Sequence, residues 1–184
     1  MSDDDAPRTA EHSVRVEHAG RSARAVLRVP ASAVAGAPVE ASLVFENLSD
    51  APLFLAVGAS RVTLRPDGLT MEAELRPESG GPLALADPFS GAVELGGPAG
   101  VVKVEPGTEW PQPLLLNEFV RLENARDALA PGGRGALRVR VRRPLPLASG
   151  EAEAFRSDPG VPVADLAVEV ALVRDDAALA AAVD

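Results

Sequence analysis

An alternation of period two runs through most of this chain and constrains its fold more than any other feature. Ala23, Ala25, Leu27 and Val29 alternate with Arg24, Val26 and Arg28, and Val39, Ala41, Leu43 and Phe45 alternate with Glu40, Ser42 and Glu46. Met71, Ala73 and Leu75 alternate with Glu72, Glu74 and Arg76. Leu137, Val139 and Val141 alternate with Arg138, Arg140 and Arg142, and Leu166, Val168, Val170 and Leu172 with Ala167, Glu169 and Ala171. Successive side chains of a strand point to opposite faces, so each segment reads as a strand with one apolar and one solvated side. Glycine (16) and proline (17) together make up about one residue in six of 184, and they fall between these runs as turns. That spacing excludes a helical bundle and leaves an all-β chain of many short strands.

The remaining segments follow the same logic. Val14 and Val16, then Leu53, Leu55 and Val57, then Val62 and Leu64, are shorter alternations. Asn47 to Asp50 is a turn, and Pro66-Asp67-Gly68 is a hairpin signal because Asp-Gly tolerates positive φ. Residues 1–12 are acidic and polar and read as a disordered tail, with residues 13–174 as one β-sandwich domain. Residues 77–100 hold glycine and proline in quick succession and read as an irregular excursion, with only Ala92 to Leu95 strand-like. Val101 to Glu105 and Leu114 to Glu123 read as strands, and Asn124 to Leu129 as one helical turn. Residues 175–184, rich in alanine behind Asp175 and Asp176, favour a short helix or a frayed tail.

Nine or ten half-buried strands imply two antiparallel sheets packed face to face. An immunoglobulin-like sandwich fits best, a jelly roll second and a closed barrel third. One stretch also carries a family likeness. Val102-Lys103-Val104-Glu105-Pro106-Gly107, Leu114-Leu115-Leu116-Asn117-Glu118-Phe119 and Pro131-Gly132-Gly133-Arg134-Gly135-Ala136-Leu137-Arg138-Val139 follow one another over about 40 residues. Together they resemble the second half of bacterial immunoglobulin-like and fibronectin III-like domains, in which strands end at Pro-Gly. The resemblance implies a sandwich and no particular activity.

Composition narrows the function by exclusion. The formal net charge is −9, whereas nucleic-acid binding needs clustered cations facing phosphates. Lys103 is the one lysine among 18 basic residues; with the alanine, glycine and proline load, the arginine excess suggests a GC-rich bacterial coding sequence. The chain has no cysteine, and therefore no disulfide, zinc–thiolate site or thiol nucleophile. The start, Met-Ser-Asp-Asp-Asp, lacks the basic residues and apolar run of a secretory signal, and no stretch reaches the ~18 apolar residues of a membrane span. A cytoplasmic protein, bound to neither nucleic acid nor membrane, is the expectation.

Catalytic constellations are missing. His12 and His18 are six residues apart and match no metal or triad spacing, so they read as surface histidines on or before the first strand. Glu72 with Glu74, and Glu151 with Glu153, are same-face acid pairs if extended, a pattern common on solvated sheets. Asp3-Asp4-Asp5 reads as a solubilising run in preference to a weak calcium site, since it lacks a spaced loop. No cofactor is expected.

Three features remain as candidate interaction sites. From Arg134 to Arg143 there are five arginines and no acid, and Arg138, Arg140 and Arg142 stand in a row on one strand face. Such a row could grip an acidic partner, or it could be neutralised across strands by acids such as Glu118, Glu123 or Glu169. Trp110, in Glu-Trp-Pro-Gln-Pro, is either a plug at the end of the sandwich or an exposed anchor. Phe89 lies in the long loop. The expected function is a non-catalytic interaction or assembly module of bacterial cytoplasmic type, acting on a protein partner or on itself. Two alternatives stand beside it: an intracellular protease-inhibitor or immunity-type protein presenting a loop at 77–100 or 143–163, and a carbohydrate-binding or carbohydrate-active protein using Trp110 and the carboxylates.

Overall fold

The computed structural model describes residues 8–58, 68–89, 99–156 and 159–183. Eleven strands are found among them: β1 (Thr9–His18), β2 (Arg21–Pro30), β3 (Ser32–Val34), β4 (Glu40–Asn47), β5 (Leu53–Gly58), β6 (Thr70–Pro77), β7 (Leu83–Ala84), β8 (Ala99–Val104), β9 (Glu109–Leu115), β10 (Arg134–Pro144) and β11 (Val163–Val173). A 3-10 turn (Leu116–Glu118) and the helices α1 (Leu122–Ala128), α2 (Glu151–Ala154) and α3 (Asp176–Val183) complete the chain. The all-β class predicted from the alternation is what the structure shows, with the short C-terminal helix in place.

The strands form a four-stranded sheet, β1-β2-β4-β9, a five-stranded sheet, β3-β11-β10-β6-β7, and a two-stranded ribbon, β5-β8. Pairing is antiparallel throughout except between β11 and β3, which run parallel over Ala171–Val173 and Ser32–Val34. This parallel pair is a departure from the purely antiparallel sandwich. It arises because the chain leaves β2 at Pro30 and crosses to the other sheet through Ala31, whose N–H reaches Arg8 O at 2.7 Å and whose carbonyl accepts Ala171 N–H at 2.9 Å.

The apolar rows predicted for each strand face one common interior. Ala25, Leu27, Leu43 and Phe45 of one sheet pack with Leu75, Leu137, Val139, Val141, Leu166 and Val170 of the other. Burying a leucine of this kind stabilises by roughly 1.5–3 kcal/mol. Asn47 holds the corner where β4, β8 and β9 meet. It is 1% exposed, its Nδ2 donates to Ala51 O and Val104 O at 2.9 Å each, and its Oδ1 accepts Ser49 N–H at 2.8 Å.

Several boundaries differ from the sequence expectation. β1 begins at Thr9, inside the predicted tail, because the β1–β2 register runs from Thr9 opposite Pro30 to His18 opposite Arg21, with Arg28 bound to Glu11 at 2.9 Å. The predicted strand Leu114–Glu123 is instead the end of β9, the 3-10 turn and the start of α1; the run Leu114-Leu115-Leu116 has no period to mark the change. β9 includes Pro111 and Pro113, which an edge strand accepts where their missing N–H would face outward. Glu151 and Glu153 lie on α2 and not on an extended segment. Within 77–100 the described part contains β7; the strand-like Ala92–Leu95, like Val62–Leu64 and Asp3-Asp4-Asp5, lies outside the described residues. α3 is capped as predicted: Asp175 Oδ1 accepts Ala177 N–H at 3.1 Å and Ala178 N–H at 2.9 Å.

Candidate functional site

The arginine row of β10 faces outward in the middle of the five-stranded sheet, between β11 and β6. Its register puts Asp165 opposite Arg142, Ala167 opposite Arg140 and Glu169 opposite Arg138 on the β11 side. On the β6 side it puts Thr70, Glu72 and Glu74 opposite the same three arginines. Arg140 binds Asp165 with both prongs of its fork, Nε at 2.7 Å and Nη2 at 2.5 Å. That hydrogen bond holds the Asp165 carboxyl below its ordinary range and raises Arg140. Arg142 reaches Asp165 at 3.4 Å and Glu72 at 3.8 Å. The neutralising acids are thus Asp165 and Glu72, not the Glu118, Glu123 or Glu169 that charge balance suggested.

Arg138 stands apart from its two neighbours. Glu74 on one side is taken by Arg76 at 2.7 Å, and Arg138 makes no ion pair or side-chain hydrogen bond among the described residues. Beside it opens a cleft of about 530 Å³, lined by the charged residues Arg138, Arg140, Glu72, Glu74 and Asp87 and by apolar residues that include Met71, Phe119 and Val120. The cleft exists because β7 pairs with β6 only at Glu74 and Leu75, so the edge of β6 nearer Thr70 has no strand beside it among the described residues. Phe119 reaches the cleft from the 3-10 turn, an approach that the sequence reading missed by extending β9 through it.

The other predicted residues lie elsewhere. Trp110 is half-buried on the inner face of β9, directly opposite Phe45, with ring centroids 6.1 Å apart and planes at 15°. Arg143, an inward-facing residue at the end of β10, places its guanidinium over the Phe45 ring, 5.6 Å from the centroid. It is 6% exposed and donates to Ala56 O at 2.8 Å. Phe89 is half-buried in a turn closed by its N–H on Asp87 Oδ1 at 2.8 Å. The structure therefore keeps the three arginines on one face, and places Arg138 and Arg140, but not Arg142, Trp110 or Phe89, at the cleft.

Both histidines are on β1. His12 Nδ1 accepts Ala167 N–H at 3.0 Å, so the imidazole covers a donor on the edge of β11 that no strand pairs. Among the described residues no group of three or more histidine, aspartate or glutamate side chains could hold a metal ion, and no helix is long and apolar enough to cross a membrane. No protein-family model matches the chain, and no curated protein shows significant similarity to it.

Proposed function

We propose that this chain is a non-catalytic protein-interaction module of the immunoglobulin-like kind. On this reading it engages an acidic segment of a partner protein along the β6–β10 face. The observation that supports this is Arg138, a guanidinium without an ion pair among the described residues, at a cleft of mixed charged and apolar lining, while its neighbours in the row are neutralised. A charge of that kind steers and orients a partner, and the apolar part of the lining supplies the area that holds it. Trp110 is less suited to a sugar platform, since one face of its indole is spent on Phe45. The 143–163 segment is less suited to an inhibitory loop, because Leu145 N–H on Pro162 O (2.8 Å) and Ser149 on Glu153 tie it down.

The test is site-specific photo-crosslinking in the native host, with the photoreactive residue at Met71 on the cleft and, as control, at exposed Ser13 on the opposite sheet. The expected result is a discrete adduct from Met71 only, lost in Arg138→Glu. The same adducts from both positions, or persistence in Arg138→Glu, would count against the assignment.

A further inference from the structure

At one end of the sandwich, away from the arginine row, lies a cavity of about 400 Å³. A volume of this order suits a small ligand. Three separate segments converge on it. The β1–β2 hairpin turns through two residues, Ala19 and Gly20, with φ of +49° and +75°. This primed turn sets His18 directly opposite Arg21 in the strand register, so both basic groups stand at the same strand end. The second segment follows β10, where Leu147 also has positive φ, +47°. Leu147 is 2% exposed with its side chain in the core, and its carbonyl oxygen accepts Arg21 Nη1–H at 3.4 Å. The third is α2 and the residues after it, which supply Glu153 and Arg156.

Among the described residues, Ala19 and Leu147 are the two non-glycine positions with positive φ, and both line this one cavity. A left-handed conformation costs such residues on the order of 1–2 kcal/mol and persists only where the surroundings enforce it. Here the result of the enforced backbone is the placement of Arg21. The charge at the cavity is equally unusual for a chain of net charge −9. Among the described residues neither Arg21, Arg156 nor His18 has a carboxylate within ion-pair distance, although Glu153 attracts both guanidiniums at longer range. The hydrogen bonds of the local acid go to Ser149: Glu153 Oε2 accepts Ser149 N–H at 2.9 Å and Ser149 Oγ–H at 2.6 Å, and these bonds, with smaller contributions from Arg156 and Arg21, hold its carboxyl below the ordinary range. Elsewhere on the molecule most exposed arginines have a carboxylate within reach, as Arg24 has Glu46 and Arg126 has Asp176.

From this we infer that the end cavity binds a small oxyanion, phosphate or carboxylate, between the Arg21 and Arg156 guanidiniums with His18 beside them. Guanidinium forks match both anions in geometry. Ser149 and Glu153 also line the cavity, and their mutual hydrogen bonds brace α2, which carries the chain on to Arg156.

The experiment is an amide NMR titration of the full chain at constant ionic strength, with inorganic phosphate in one arm, acetate in a second and chloride in a third. The expected result is saturable shifts at His18, Arg21, Leu147, Ser149 and Arg156 with phosphate or acetate and none with chloride. The tighter of the two names the ligand class. Arg156→Gln is expected to weaken binding by about tenfold or more. This side chain makes no side-chain bond to the rest of the described fold, so the variant remains folded. Arg28→Gln, on the outer face of β2, is expected to leave binding unchanged. Linear shifts without saturation, shifts shared equally by other arginines, or equal affinity in Arg156→Gln would overturn the proposal.

Discussion

Polar side chains occupy two contrasting regions of this molecule, the interior corner around Asn47 and Arg143 and the outer face of β10. In the interior the polar atoms hold backbone groups. Asn47 serves three loop and strand positions at once, and Arg143 spans from the Phe45 ring to the Ala56 carbonyl. On the face, by contrast, arginines pair with carboxylates in contact with water, Arg140 and Asp165 each being more than two-fifths exposed. A buried polar group is costly to leave unmatched, whereas an exposed ion pair is screened and contributes little. The corner is therefore the place to look for stability and the face the place to look for recognition.

That contrast can be broken in order of expected effect. Asn47→Leu strands the Ser49 N–H and the carbonyls of Ala51 and Val104, and is expected to destabilise by about 2–4 kcal/mol. Urea denaturation measures it, and a loss below about 0.5 kcal/mol would show that the corner is not a structural post. Arg143→Met keeps the length but removes the donor to Ala56 and the charge over Phe45; about 1–3 kcal/mol is expected, with a changed Trp110 fluorescence through the ring stack.

Gln112 tests the reverse sign. It faces inward on β9, 7% exposed, and its Oε1 has no hydrogen-bond partner among the described residues. Replacing it with leucine removes an unmatched acceptor and is expected to raise stability by about 0.5–1.5 kcal/mol, read from the shift in thermal midpoint. A decrease would mean that the amide is satisfied by something bound there.

The face gives the smallest effect, present at neutral pH and lost on acidification. Asp165 is held below its ordinary range by the Arg140 hydrogen bond, so its contribution is fully present above the unfolded aspartate pKa and is lost as pH falls through the folded one. Arg140→Gln is expected to lower stability slightly at neutral pH and to converge with the parent in acid, so that the acid limb of the thermal midpoint, followed down to about pH 2, is flatter. An unchanged acid limb would remove the pair from the account of the face.

How much of this was legible beforehand depended on the physical origin of each part. β2, β4, β6, β10 and β11 carry long two-sided alternations, and burial against a shared core follows directly from them. β3 is three residues long and is a strand only because Ala171–Val173 lies beside it, a fact of tertiary structure. β9 was obscured by Pro111 and Pro113, and α2 is a single turn held by Ser149 and Glu153. The row Arg138, Arg140 and Arg142 was plain from spacing, but which of its members lacks a partner depends on register. The end cavity left no local signal at all, since His18, Arg21, Leu147 and Arg156 come from segments more than a hundred residues apart.

The placement of β11 has a consequence for how the chain comes to fold. This late strand lies inside its sheet, hydrogen-bonded to β10 on one side and to the edge strand β3, some 140 residues earlier, on the other. During synthesis β3 must wait for a neighbour that is not yet made, while β1, β2 and β4 can already form a meander with one greasy side uncovered. Closure over such a separation is slow by contact-order reasoning. Until β11 emerges, the second sheet holds only the β10-β6-β7 part, and the apolar side of the first is incompletely covered, a state in which chains associate more readily.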